Sequence, residues 1–323
     1  MKNEIPDISK QIFKEDLLKI FESKYSTIGS LWVKYQMEWL NGIYFAFKDH
    51  DKFLIIIFLV KKSLDFYSRN FVMLTYDQFY QNDTVEIERF NVSEISKELN
   101  IPKESARRKI NELEALGVIK KKKKIFIIDR NSYVHIKPID TVIRMARFLT
   151  ILSKFCVEEN LMEKEITSSN LELIIKNNFS YVWKIYYEMQ IPMLVNYKKT
   201  FKDLETFHIF SSIVVNQHSH NKKIYIPKMD RSNYLGTIMN SNIQGINAMS
   251  ISDITGIPRA TAIRKLQMLI KNNYLTIDKK KHYKLSGKYV LKLMPTQKIT
   301  LNHLAKFSSK ILNSTQIASI KKT

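Results

Sequence analysis

Two arginines, Arg108 and Arg264, stand 156 positions apart inside one short repeated pattern, and the polar side chains around them suit phosphate oxygens and base edges. Lys103, Ser105, Arg107 and Asn111 surround the first; Arg259, Thr261 and Gln267 surround the second. A lysine cluster follows each set, Lys121, Lys122, Lys123 and Lys124 after the first and Lys279, Lys280 and Lys281 after the second. This is the chemistry of holding a polyanion. A guanidinium bridges guanine through two hydrogen bonds, an ammonium neutralises a phosphate, and an amide or hydroxyl reads a base edge. The chemistry of breaking bonds is not in the pattern: no nucleophile, base and acid fall into a catalytic motif. His218 and His220 flank Ser219 at a spacing that does not share a helix face, with no Cys, Asp or Glu close in sequence. The seven glycines form no phosphate-cradling loop. The sequence therefore points to a binding protein, with no enzyme activity, cofactor or metal expected.

The elements that must position these donors can be read along 92–130. Ser93 can cap a short helix with Ile95 and Leu99 on one face, and Asn100 follows where a turn needs positive φ. Pro102 suits the first position of a second helix, in which Ala106, Ile110, Leu113 and Leu116 form a buried stripe. Lys103, Ser105, Arg107, Arg108 and Asn111 lie opposite that stripe. Gly117 can end the helix in a left-handed conformation, and 118–120 with 125–128 read as two strands joined by the lysine tip. Helix, turn, helix, hairpin is the winged helix-turn-helix order, and on these residues the segment resembles the MarR and GntR classes of bacterial regulators. The resemblance implies a second helix that enters the major groove and a wing that touches the backbone.

The same stretch occurs twice. At an offset of 156, Ile95, Ser96, Ile101, Pro102, Ala106, Arg108, Lys109 and Leu113 fall on Ile251, Ser252, Ile257, Pro258, Ala262, Arg264, Lys265 and Leu269 without a gap. Asn100 becomes Gly256, and these are the residue types that enter the left-handed region most cheaply. The expected fold is mainly α with small β-wings: two duplicated winged-helix domains joined by long helices in a pseudo-two-fold, fused-dimer-like arrangement. The first domain is 1–160, with helix-turn-helix 93–117 and wing 118–130. The second is 161–323, with helix-turn-helix 249–273 and wing 274–286.

Upstream, helices are expected at 11–24, 28–47 and 52–67, with 71–90 holding a short strand and a loop. Ser30, Lys34 and Glu38 match Ser180, Lys184 and Glu188 at an offset of 150, and 47–49 repeats at 201–203. Helix 204–218 then corresponds to 52–67, and 221–248 to the loop. Val142, Met145, Leu149, Leu152 and Cys156 form a seam on a long helix at 139–158, as do Leu301, Leu304, Ser308 and Ile311 after Pro295. These seams are expected to pack the halves together, with Cys156 a packed small hydrophobe.

Composition sets the remaining bounds. The 323 residues carry a net charge of +21, unevenly spread: 27 Lys and Arg against 22 Asp and Glu up to Asn160, but 25 against 9 beyond it. The second half should dominate sequence-independent attraction to phosphate. A single cysteine excludes an internal disulfide and fits a reducing, cytoplasmic setting at the nucleoid. The longest apolar run, 53–60, is too short for a bilayer, and no signal peptide is read. The expectation is a sequence-specific double-stranded-DNA-binding protein, a bacterial-type transcriptional regulator working as a monomeric pseudo-dimer or a homodimer. Because Arg107 becomes Ile263, it should read two unlike half-sites. The aromatic helix 28–47 could line the pocket of a small-molecule effector. Alternatives are a plasmid or phage replication initiator with tandem winged helices, and a winged-helix protein-interaction scaffold.

Overall fold

The computed structural model describes residues 11–133, 138–223, 229–240 and 244–320. In chain order the first half contains α1 (Lys14–Ser23), α2 (Tyr25–Phe47), α3 (His50–Arg69), α4 (Tyr76–Tyr80), β1 (Thr84–Ile87), α5 (Val92–Glu98), α6 (Lys103–Ala115), β2 (Ile119–Lys122), β3 (Ile125–Asp129) and α7 (Ile139–Glu158). The second half contains α8 (Ser168–Asn177), α9 (Phe179–Phe201), α10 (Leu204–Lys223), α11 (Arg231–Asn240), α12 (Ala248–Thr255), α13 (Arg259–Lys271), β4 (Leu275–Ile277), β5 (Tyr283–Leu285) and α14 (Tyr289–Ile320). The fold is mainly helical, with two small antiparallel sheets, β1-β3-β2 and β4-β5. No helix of the described residues is long and apolar enough to cross a membrane.

The repeated pattern of elements extends well beyond the matched segments. Helices α1, α2 and α3 are 10, 23 and 20 residues long, and so are α8, α9 and α10. Each pair starts 154 positions apart. The offset of 150 read from Ser30, Lys34 and Glu38 is therefore one helical turn out of register. A shift of four residues leaves the same face of a helix toward the core, so side-chain pattern alone cannot separate the two registers. Both α2 and α9 stop on a left-handed lysine, Lys48 (φ 52) and Lys202 (φ 73). An aspartate follows each and caps the next helix: Asp49 accepts from the amides of Asp51 and Lys52, Asp203 from the amide and hydroxyl of Thr206.

The halves are interlocked. Helix α1 packs on α14 and α8 on α7; α2 packs on α10 and α9 on α3; α11 lies on α2 and α4 on α9. Every one of these contacts has a counterpart with the halves exchanged. The buried apolar residues make one continuous cluster across both halves. Near its centre the Tyr35 hydroxyl donates to that of Tyr186 at 2.9 Å, and Gln190 donates to Tyr186 at 2.7 Å. Gln36 and Gln190, themselves 154 positions apart, are both buried, and neither amide atom of Gln36 has a hydrogen-bond partner.

The seam of α7 is buried at all five positions, and burial pushes the Cys156 thiol up to about 12. On α14, Leu304, Ser308 and Ile311 are buried and Leu301 is half-buried. Pro295 lies inside α14, whereas Pro138 caps α7, so the two prolines are not structurally equivalent. The segment 71–90 forms α4 and β1, and β1 adds a third strand to the first hairpin. Its counterpart in the second half, within a stretch partly outside the described residues, is a single bridge from Ile246 to Tyr283.

Candidate nucleic-acid interface

The two helix-turn-helix segments are built by the same side chains. Asn91 caps α5 and Asn247 caps α12, accepting from the amides of Ser93 and Ser250. Ser93 is thus inside the helix, one residue beyond Val92, and not its cap. Ser96 and Ser252 each donate across the turn, to the carbonyls of Ile101 and Ile257, both at 2.7 Å. The turn residues are left-handed, Asn100 at φ 49 and Gly256 at φ 70. Pro102 and Pro258 then cap α6 and α13 with φ −52 and −53 and ψ 136 in both. Each proline sits one position before the helix, because its extended ψ sets the entry angle.

Helices α6 and α13 are both 13 residues long and bury the expected stripe, Ala106, Ile110 and Leu113 in α6 and Ala262, Leu266 and Leu269 in α13. Leu116 departs from expectation: it is the C-cap of α6 and is 54% exposed. The helices end identically, with left-handed Gly117 (φ 71) and Asn273 (φ 58), and with the amides of Val118 and Tyr274 bonding back to the carbonyls of Leu113 and Leu269 at 2.9 Å.

Lys109 and Lys265, at matching positions of the two segments, are largely withdrawn from solvent. Each turns inward to ion-pair with the aspartate that caps the third helix of its own half, Lys109 with Asp49 at the start of α3 and Lys265 with Asp203 at the start of α10. Lys265 and the hydroxyl of Thr206 hold the Asp203 carboxyl below the ordinary carboxylate value against the opposing effect of burial. Burial raises the Glu205 carboxyl, and Glu205 feels Asp49 and Lys109 as well as Asp203 and Lys265. The two anchoring pairs therefore converge from the two halves. The α12–α13 turn also meets the other half, since a Cβ on Gly256 would come within 3.9 Å of Tyr44 and Lys48.

With those lysines turned in, the outward face carries the proposed donors. Lys103, Arg107, Arg108 and Asn111 are exposed and Ser105 is half-buried; Arg259, Arg264 and Gln267 are exposed and Thr261 is half-buried. Arg108 is 70% exposed and lies 3.7 Å from Glu112, and Arg107 lies 3.7 Å from Glu104. Helix α13 has no acidic residue, and Arg259 and Arg264 form no ion pair among the described residues. The second copy thus offers its guanidinium groups free, whereas the first must exchange glutamate for another anion.

The hairpins place the lysine tips beside these helices. Strands β2 and β3 pair from Ile119 with Ile128 to Lys122 with Ile125, leaving a two-residue tip at Lys123 and Lys124. Lys121, Lys122, Lys123 and Lys124 are all exposed, whereas Lys120 is held by Asp129 at 2.6 Å. In the second hairpin Asp278 accepts from the amides of Lys280 and His282, closing a tip from which Lys279, Lys280 and Lys281 project. One lysine in each tip is left-handed, Lys123 at φ 56 and Lys281 at φ 60.

The structure therefore groups the sequence-derived residues into two exposed basic surfaces. Sequence reading missed the anchoring role of Asp49 and Asp203, although each capping aspartate stands at the same offset, 154, as the helices around it. It also missed the buried Arg130 on an aromatic cavity, for which a lone arginine after a strand gives no signal. No protein-family model, curated protein sequence or solved structure matches this chain.

Proposed function

We propose that this chain is a sequence-specific double-stranded-DNA-binding protein, a transcriptional regulator built as two winged-helix units in one polypeptide. The observation that carries the reading is the paired construction itself: two 13-residue helices with matching entry and exit geometry, Arg108 and Arg264 outward at the same position, and a lysine tip beside each. In this reading α6 and α13 lie in major grooves and the hairpin tips follow the phosphate backbone or minor groove. The pseudo-two-fold arrangement supports one chain meeting two half-sites as a dimer would. Arg107 faces out where the second copy has Ile263, so the first half-site presents guanine to a guanidinium and the second presents a thymine methyl to an aliphatic group.

Selection of bound duplexes from a random pool tests this. The expected product is a site with two unlike halves, with Arg108→Ala and Arg264→Ala each relaxing preference in one half at a loss of about tenfold to a hundredfold in affinity. A pool that stays random through selection at physiological salt would refute sequence-specific reading. A perfect palindrome occupied by two chains would refute the one-chain, two-site geometry.

A further inference from the structure

Among the described residues, helices α3, α5, α6, α7 and α13 all stop in one way: the residue after the C-cap is left-handed, and the amide beyond it bonds to the carbonyl five residues back. At four of these stops the left-handed residue is Asn100, Gly117, Asn160 or Asn273, types that enter that region cheaply. At the end of α3 it is Phe71, with φ 58. A bulky L-residue in this conformation is an outlier, and the chain accepts at α3 a strain that it avoids at the other four stops.

The ring does not repay that strain inside the chain, since Phe71 is 92% exposed. Phe66 on the last turns of α3 and Val72 and Met73 just beyond it are exposed as well. Together they form an apolar ledge held at both ends. The Val72 amide donates to the carbonyl of Tyr67 at 2.9 Å, and Leu74 and Ser180 exchange two hydrogen bonds at 2.9 and 3.0 Å. Apolar side chains carried on a pre-ordered backbone cost little to dock, and such a patch marks an interaction surface.

Charge selects the occupant. The three cations on the later turns of α3 each face a carboxylate, Lys61 with Asp65 at 2.6 Å, Lys62 with Glu94 at 2.9 Å and Arg69 with Glu88 at 3.4 Å. An anionic bilayer or a nucleic acid would instead be met by unmatched cations. An edge that carries one group of each sign is complementary to itself under a two-fold rotation. The ledge also lies in the half with 27 basic against 22 acidic residues, not in the half with 25 against 9, so two chains meeting there repel least.

We propose that this ledge is a self-association surface: a second copy of the chain docks about a two-fold axis, with Phe71 of each copy covered by the ledge of the other and Arg69 set against Glu88 across the interface. The inference rests on the ledge alone and not on DNA binding.

Sedimentation equilibrium of the full chain from about 1 to 100 μM tests it. The mass should rise from 38.2 kDa toward twice that value, with a dissociation constant on the order of 10 μM because the patch is small. Phe71→Asn gives α3 the residue type used at three of the other four stops. It should weaken association at least about tenfold and yet raise the melting temperature of the monomer, opposite effects that a purely structural side chain would not produce. Phe71→Gly should behave alike and decides the matter if the asparagine variant fails to fold. Arg69→Glu and Glu88→Arg chains should each fail to self-associate but should associate with one another when mixed, because each then meets its opposite charge. A monomer at every concentration, undiminished association in the folded Phe71 variants, or no association between the two charge variants would overturn the proposal. Monomeric protein that binds phosphatidylglycerol vesicles through Phe71 would overturn it in favour of a membrane contact.

Discussion

The left-handed lysines at the two hairpin tips allow stability and DNA binding to be separated. Lys123 (φ 56) and Lys281 (φ 60) occupy a backbone region that costs an L-residue about 1–2 kcal/mol, where glycine or asparagine would be cheaper. Neither lysine forms an ion pair among the described residues, so no side-chain salt bridge repays the strain. Replacing either by glycine removes the steric cost but returns part of it as unfolded-chain entropy, leaving a net gain of about 0.5 kcal/mol per site. The double variant Lys123→Gly, Lys281→Gly should therefore melt roughly 2 °C higher. If both ammonium groups contact phosphate, the same variant should bind DNA with a log affinity against log salt slope shallower by about 1.8, or 0.9 per lost contact. Calorimetry and a salt titration on a selected duplex measure the two effects in one preparation. A variant that gains stability but keeps the wild-type salt slope would show that the tips do not touch DNA. A variant that loses stability would refute the strain argument.

Three further outcomes follow from the interior. Lys265→Met should destabilise the fold by about 1–2 kcal/mol, less than a fully buried pair because Asp203 is 36% exposed. Since the folded Asp203 pKa is lowered, its contribution is present above the ordinary carboxylate value and lost as pH falls through the lowered one, so denaturant titration should show a flatter acid limb in the variant. His50 lies 3.1 Å from His208, and burial followed by the nearby Lys109 depresses its pKa to about 3. The unfolded chain binds this proton first, so stability should fall as pH drops from about 6.5 toward 3, with His50 contributing up to about 1.4 kcal/mol per pH unit. His50→Gln should lessen that slope and leave the share of His208, which burial also holds well below its ordinary value, and an unchanged slope would contradict it. Gln36→Leu removes a buried amide that has no partner and should raise stability by about 1 kcal/mol in urea unfolding, whereas a loss would mean that the amide is satisfied in solution.

Much of the local architecture was legible because short-range stereochemistry dictates it. Asn100, Gly117 and Gly256 mark left-handed positions, Pro102 and Pro258 mark helix entries, and the apolar spacing of 106–113 and 262–269 marks one buried stripe per helix. These effects act within a few residues, so the helix pairs α5–α6 and α12–α13, the lysine tips and the seam at 139–158 could be located from composition and spacing. The exposure of Arg108 and Arg264 follows from the same periodicity.

Tertiary contact decided the rest. Helical periodicity returns nearly the same face every four residues, so the α2–α9 register, 154 and not 150, became definite only when whole helices were seen to match in length. Lys109 and Lys265 have no partner legible in the sequence; only folding brings Asp49 and Asp203, some sixty residues away in sequence, to turn them inward. That α1 packs on α14 and α7 on α8 depends on which apolar stripe covers which, and stripes of similar Leu, Ile and Phe content do not name their partners. The burial of Arg130 likewise exists only because folding brings the rings of Phe79 and Tyr80 and the carbonyls of Phe79 and Asn82 to it.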